Sequence, residues 1–195
     1  MTTLLAPPQR STQKSTRPTR RERRAEKRRL KRLDALSAQL AELPRIAALL
    51  ERAAEVVGTG WVQGAWFAVE VPGGRRAVTA YDISLADDLP VVGACLVGGV
   101  VQAGGGPTAV RSQLVQRSLD LVWHVLREEP GQPVRWCPGP RVRMMSVLEL
   151  TYWNDAPSRS KDEVVGLLVA AQHAASVQQD QCRAEQRELE AVHGS

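Results

Sequence analysis

Between residues 7 and 29 the only hydrophobic side chain is Ala25; after that, apolar positions return with helical spacing. Leu33, Leu36, Leu40 and Leu43 recur at 3-4-3 intervals, a narrow stripe along one helix face. Residues 19–43 are strong helix formers without Gly or Pro, so they predict a helix that Pro44 ends. A second helix is expected over residues 45–57, stopped by Gly58. Ala47, Leu50, Ala54 and Val57 carry the heptad phase across the proline, which would suit a homodimer seam through Leu33–Leu43. Packing of the stripe on the chain's own body is the simpler expectation.

Downstream the periodicity changes. Residues 61–71 concentrate aromatic and β-branched side chains, Pro72-Gly73-Gly74 offers a turn and residues 75–82 return, which predicts a hairpin. Residues 94–101 are small and apolar, the pattern of a short buried helix closed by Gly104-Gly105-Gly106-Pro107. Val110, Leu114, Leu121, Val122 and Val125 can share one face of a helix over residues 108–129. Four prolines mark residues 130–143 as loop, and residues 145–153 predict a helical turn or two. Ser160-Lys161-Asp162-Glu163 reads as a capping box for a last helix that reaches about Ala191, its end increasingly polar. The expected fold class is α+β: a mostly helical compact domain with one small β-hairpin, preceded by a basic, disordered-to-helical N-terminal arm. The expected divisions are a disordered segment (1–18), the basic helical arm (19–43), a globular domain (44–175) and a polar C-terminal extension (176–195).

Charge sharpens the division. Residues 1–33 hold 12 Lys and Arg against 2 acids, whereas the remaining 162 residues hold 14 basic and 19 acidic side chains. A mildly acidic body therefore follows a strongly basic arm. The first 18 residues combine Pro, Ser, Thr and Gln and cannot repay their ordering entropy. The first 21 residues are Arg/Ser/Thr-rich and lack acids, which also matches an organelle transit peptide by composition. The apolar part of the uncharged stretch from Leu89 ends after about 13 residues, short of a membrane span. Three cysteines without a C-x-x-C pair give no disulfide framework and suit a reducing cytosol.

The arm carries the clearest functional direction. Arg20, Arg21, Arg23, Arg24, Lys27, Arg28, Arg29, Lys31 and Arg32 would place cations all round a helix, which repels itself until a polyanion relieves it. Arginine outnumbers lysine, favouring forked phosphate contacts. The arm has no aromatic residue for stacking on bases, so backbone binding with little sequence readout is expected. The partner is nucleic acid, DNA or RNA, or else an acidic protein surface; a membrane is not expected, for Leu30 and Leu33 offer too little apolar face.

Three motifs mark the body: Gly60-Trp61-Val62-Gln63-Gly64-Ala65, Cys95-Leu96-Val97-Gly98-Gly99, and Trp153-Asn154-Asp155-Ala156-Pro157 followed by Glu163-Val164-Val165. In this order (W-x-Q-G-A, C-L-x-G, W-N-D-x-P) the chain resembles an uncharacterised family of small actinobacterial and actinophage proteins over about residues 45–172. The resemblance implies a compact mixed domain and no assigned activity. Gly99 stands where alanine is expected.

Two constellations in the body could carry chemistry. Cys95 opens a predicted helix, where a thiol can become a nucleophile, with Gln63 as oxyanion donor, His124 as base and Asn154 as orienter. Apolar Val97, Val100 and Val101 beside it favour an inert, buried cysteine. The second is a polar pocket of Gln63, Asn154 and Asp155 lined by Trp61 and Trp66, against which stands a structural Asx turn with Trp153 plugging the core. Neither the scattered Cys and His residues nor the glycine runs have the spacing for a metal or nucleotide, so no cofactor is expected. The expectation is a non-enzymatic cytoplasmic accessory protein that binds nucleic acid through its arm. The alternatives are a thiol-dependent hydrolase or transferase using Cys95, and a dimerising interaction module.

Overall fold

Thr19 begins the first helix. In a computed structural model, which describes residues 19–129, 131–137 and 139–191, its hydroxyl accepts the Glu22 N–H and the Glu22 carboxylate accepts the Thr19 N–H. The expected disorder of residues 1–18 lies outside the described residues. Helix α1 then runs Arg20–Thr59 without a break, with Pro44 inside it. The expected stop at Pro44 is thus corrected, and the boundary between arm and body falls within one helix. The cause is burial on both sides of the proline: Leu36, Leu43, Ile46, Leu49, Leu50, Ala53 and Val57 are buried. Each large apolar side chain contributes about 1.5–3 kcal/mol, which together exceeds the roughly 3 kcal/mol that an interior proline costs.

The partner of that face is α5, Lys161–Ala191. The two long helices run antiparallel. Lys161 Nζ donates to the Gly58 carbonyl (3.2 Å), the Cys182 thiol meets Gln39 Oε1 (3.4 Å) and Arg29 donates to the Leu189 carbonyl (3.0 Å). The leucine stripe is therefore covered from within the chain: Leu36 and Leu43 are buried and Leu40 packs on the core. A homodimer seam through Leu33–Leu43 finds no open stripe there, and packing on the body is what the fold adopts.

Between these helices the chain builds a small sheet. Strands β1 (Phe67–Val71) and β2 (Gly74–Val78) form the expected antiparallel hairpin, turning at Pro72-Gly73 with Gly73 at φ 97°, where L side chains are strained. A third strand, β3 (Val91–Ala94), pairs antiparallel with the other edge of β1, so the order is β2-β1-β3. Two valines before Gly93 are too short a run to show the alternation of a strand, which is why the hairpin alone is legible. Helix α2 accordingly begins at Leu96 rather than Ala94 and runs to Ala103, its first six residues buried. A Cβ on Gly99 would approach Val57 Cγ2 to 2.6 Å, so α1 and α2 meet closely here.

Helix α3 (Gln113–Arg127) is capped by the Ser112 hydroxyl, after a 3-10 turn over Pro107–Arg111 that takes the first part of the expected helix. Helix α4 corrects the expected loop and short turn: it spans Pro140–Asn154, with Pro140 at its first position, where the missing N–H is no loss. The box at Ser160 and Glu163 forms as expected ahead of α5. The fold class is α+β, five helices and one three-stranded sheet among the described residues.

Candidate functional site

The basic residues divide into two groups. Arg29 and Arg32 face α5. Arg32 ion-pairs with Glu185 through two nitrogens, and Arg29 holds Glu26 (2.8 Å) as well as the Leu189 carbonyl. Hydrogen bonds to these carboxylates raise both guanidinium pKa values and lower that of Glu185. Arg20, Arg21, Arg23, Arg24, Lys27, Arg28 and Lys31 are exposed. No side-chain hydrogen bond or ion pair engages these seven among the described residues. Arg20, Arg21, Arg24 and Arg28 border one shallow depression, as their i, i+1, i+4 and i+8 spacing requires. The expectation of free cations all round the helix therefore holds for the outer face and not for the side that meets α5.

The second candidate region is brought together as the sequence motifs suggest. Trp61 and Gln63 lie in the segment after α1, Asn154 and Asp155 at the end of α4. Asn154 is fully buried. Its Oδ1 accepts from Trp61 Nε1 (2.9 Å) and the Leu96 N–H (3.1 Å), and its Nδ2 donates to the Val62 carbonyl (3.1 Å) and Asp155 Oδ1 (2.8 Å). Gln63 Nε2 donates to the carbonyls of Asn154 and Ala156, both at 3.0 Å, and the Gly64 N–H to Asp155 Oδ1 at 3.0 Å. All four hydrogen-bonding valences of the Asn154 amide are filled by protein. These groups form a clamp that fastens the start of α2 and the end of α4 to the segment after α1. Trp66 is half-buried; its carbonyl accepts the Cys95 N–H (3.0 Å), and its indole makes no hydrogen bond to the clamp.

Cys95 is the N-cap of α2, fully buried, with its sulfur accepting the Gly98 N–H at 3.3 Å. Burial pushes its thiol up to about 12, so it is protonated at neutral pH. His124 lines a cleft between α3 and α5 that contains none of Gln63, Cys95 or Asn154.

Sequence reasoning missed one buried ion pair. Asp120, 3% exposed, accepts from Arg143 Nε (2.9 Å) and Nη2 (2.8 Å) and from the Cys137 N–H (3.3 Å). It pins the proline-rich segment and the start of α4 to α3. The signal is an acid flanked in sequence by Leu119, Leu121 and Val122, all buried in α3. Beside it, Arg117 lies over the Trp136 ring at 3.7 Å and pairs with Glu42 at 3.1 Å.

No cluster of three or more His, Cys, Asp or Glu residues that could hold a metal forms among the described residues, and no described helix is long and apolar enough to cross a membrane. No curated protein and no solved structure matches the chain. A family model described as a family of unknown function, DUF6197, matches residues 41–174, from the middle of α1 to the middle of α5 and including the whole clamp, and the chain belongs to that family.

Proposed function

We propose that this is a non-enzymatic cytoplasmic accessory protein, of an actinobacterium or its phage, that binds nucleic acid phosphates with the exposed start of α1. The observation that carries this reading is the set of seven exposed cations without a hydrogen-bond or ion-pair partner among the described residues, on a helix whose remaining length is anchored in the core. A polyanion is the ligand such a surface lacks. The body, with 14 basic and 19 acidic side chains after residue 33, would be turned away from the same polyanion. Without aromatic groups at the cationic end, binding is to the backbone and tolerant of sequence. The thiol alternative has no comparable support, because Cys95 is buried and protonated.

The test is fluorescence anisotropy of labelled duplex and single-stranded DNA and RNA at several salt concentrations. Removing residues 1–33 would also strip Arg29 and Arg32 from α5, so the variant is R20Q/R21Q/R24Q/R28Q in the full chain. Each phosphate contact contributes about −0.9 to the log–log salt slope on duplex DNA, so four lost contacts should reduce that slope by roughly 3.6 and weaken binding at low salt by orders of magnitude. Salt-insensitive binding, or equal binding by the variant, would overturn the reading.

A further inference from the structure

A cleft of about 330 Å³ lies between the C-terminal half of α3, the segment that follows it and the middle of α5. That volume falls at the lower end of the range for small-molecule sites. Its wall is apolar, with Val125, Val134, Ala170, Ala174 and Val177. Two carboxylates, Glu128 and Glu129, border it, and no Lys or Arg does. Neither carboxylate has a hydrogen bond or ion pair among the described residues. His124 also lines the cleft: it is 5% exposed, and its Nδ1 is buried without a hydrogen-bond partner. A buried polar atom without a partner is costly and uncommon. The cleft that the His124 side chain lines offers it one when the ring turns.

We propose that this cleft binds a small organic cation, an ammonium group on a compact apolar body. The body rests on the valine and alanine wall. The ammonium sits at Glu128 and Glu129, and a turn of the His124 ring toward the cleft lets the buried Nδ1 accept one of its N–H groups, in the tautomer that carries the imidazole proton on Nε2. An anion is repelled by the two carboxylates, and no Lys or Arg lines the cleft to offset them; beside His124, the other imidazole on the wall is that of His173. A neutral alcohol can satisfy His124 but gains nothing from the carboxylates. This site is separate from the cationic end of α1 and does not depend on nucleic-acid binding.

The test titrates the full chain with 2-phenylethylamine, 2-phenylethanol and 3-phenylpropanoate, followed by amide and imidazole chemical shifts. The amine is expected to saturate, with shifts confined to His124, residues 125–134 and residues 170–181. The alcohol should bind at least roughly tenfold more weakly, and the carboxylate should not bind. The E128Q/E129Q variant should lose about tenfold or more in amine affinity with an unchanged melting temperature. A174L, which fills the cleft, should abolish the shifts. Equal binding of alcohol and amine would overturn the proposal in favour of a plain apolar cavity with water on His124. Absence of amine binding at millimolar concentration, shifts elsewhere on the surface, or full affinity in E128Q/E129Q would overturn it as well.

Discussion

Asn154 ties three separated segments together with a single amide. Replacing it with alanine leaves the buried Leu96 N–H and the Trp61 indole N–H without their shared acceptor. At about 1–3 kcal/mol for each unsatisfied group, Asn154→Ala should destabilise the fold by roughly 2–6 kcal/mol in urea unfolding; a change below about 1 kcal/mol would mean the clamp is dispensable. Trp61, Gln63, Asn154 and Asp155 were legible as residues that belong together, since amides and carboxylates beside indoles are uncommon in a core. Their use was not legible, because the same residue types build a ligand pocket or a self-satisfied clamp, and only the hydrogen-bond geometry separates the two. Cys95 titrates in a direction that can be worked out. Burial raises its pKa from 9.0 to about 12, so above pH 9 the unfolded chain loses a proton that the folded chain keeps. The stability associated with that proton is fully present below pH 9 and is lost as pH rises towards 12, at up to about 1.4 kcal/mol per unit. Comparing wild type with Cys95→Ala at about pH 8 and about pH 10.5 isolates this contribution: the wild type should lose more stability between the two than the variant.

Among the elements, α4 shows why a helix can be hidden in a sequence. Its inner face buries Ser146, Leu150 and Asn154, while Met144, Met145, Leu148 and Tyr152 stand on the outer face, Tyr152 72% exposed. Apolar residues on both faces, and polar ones on the inner, erase the one-sided periodicity by which a helix is recognised. Proline at position 140 then reads as loop although it occupies the first helical position. Helix α1 is the opposite case. Its one-sided pattern was plain on both sides of Pro44, and tertiary burial overrode the local penalty. The two faces of α4 should respond differently to substitution. Leu148→Gln and Met144→Gln should change stability by less than about 0.5 kcal/mol, whereas Leu150→Ala should cost about 2–5 kcal/mol. A large loss from the outer-face changes in the monomer would show that this face is packed in solution.

Over the whole molecule, the composition separates a basic end from an acidic body, but the helical continuity between them rests on contacts far apart in sequence, such as Gln39–Cys182 and Arg32–Glu185. No local pattern carries that information. It has a physical consequence for the cationic end. Among the described residues Arg29 is the first of α1 to hydrogen-bond α5, and the turns before it carry most of the exposed cations. Arg20, Arg24 and Arg28 follow one another there at i, i+4, as do Arg23, Lys27 and, just past Arg29, Lys31, and like charges so placed each cost about 0.2–0.5 kcal/mol. The capping box at Thr19 and Glu22 and the Glu26–Arg29 pair work against that repulsion. Salt shortens the reach of the repulsion, from a Debye length of about 30 Å at 0.01 M to about 3 Å at 1 M. The helical signal in far-UV circular dichroism should therefore rise with salt in the wild type. It should start higher and stay nearly flat in R20Q/R21Q/R24Q/R28Q, which lacks the repelling row. A short duplex at low salt should raise the wild-type signal in the same way, because phosphates neutralise the same charges. If the wild-type ellipticity is independent of both salt and duplex, the first turns of α1 carry no electrostatic strain for a polyanion to relieve.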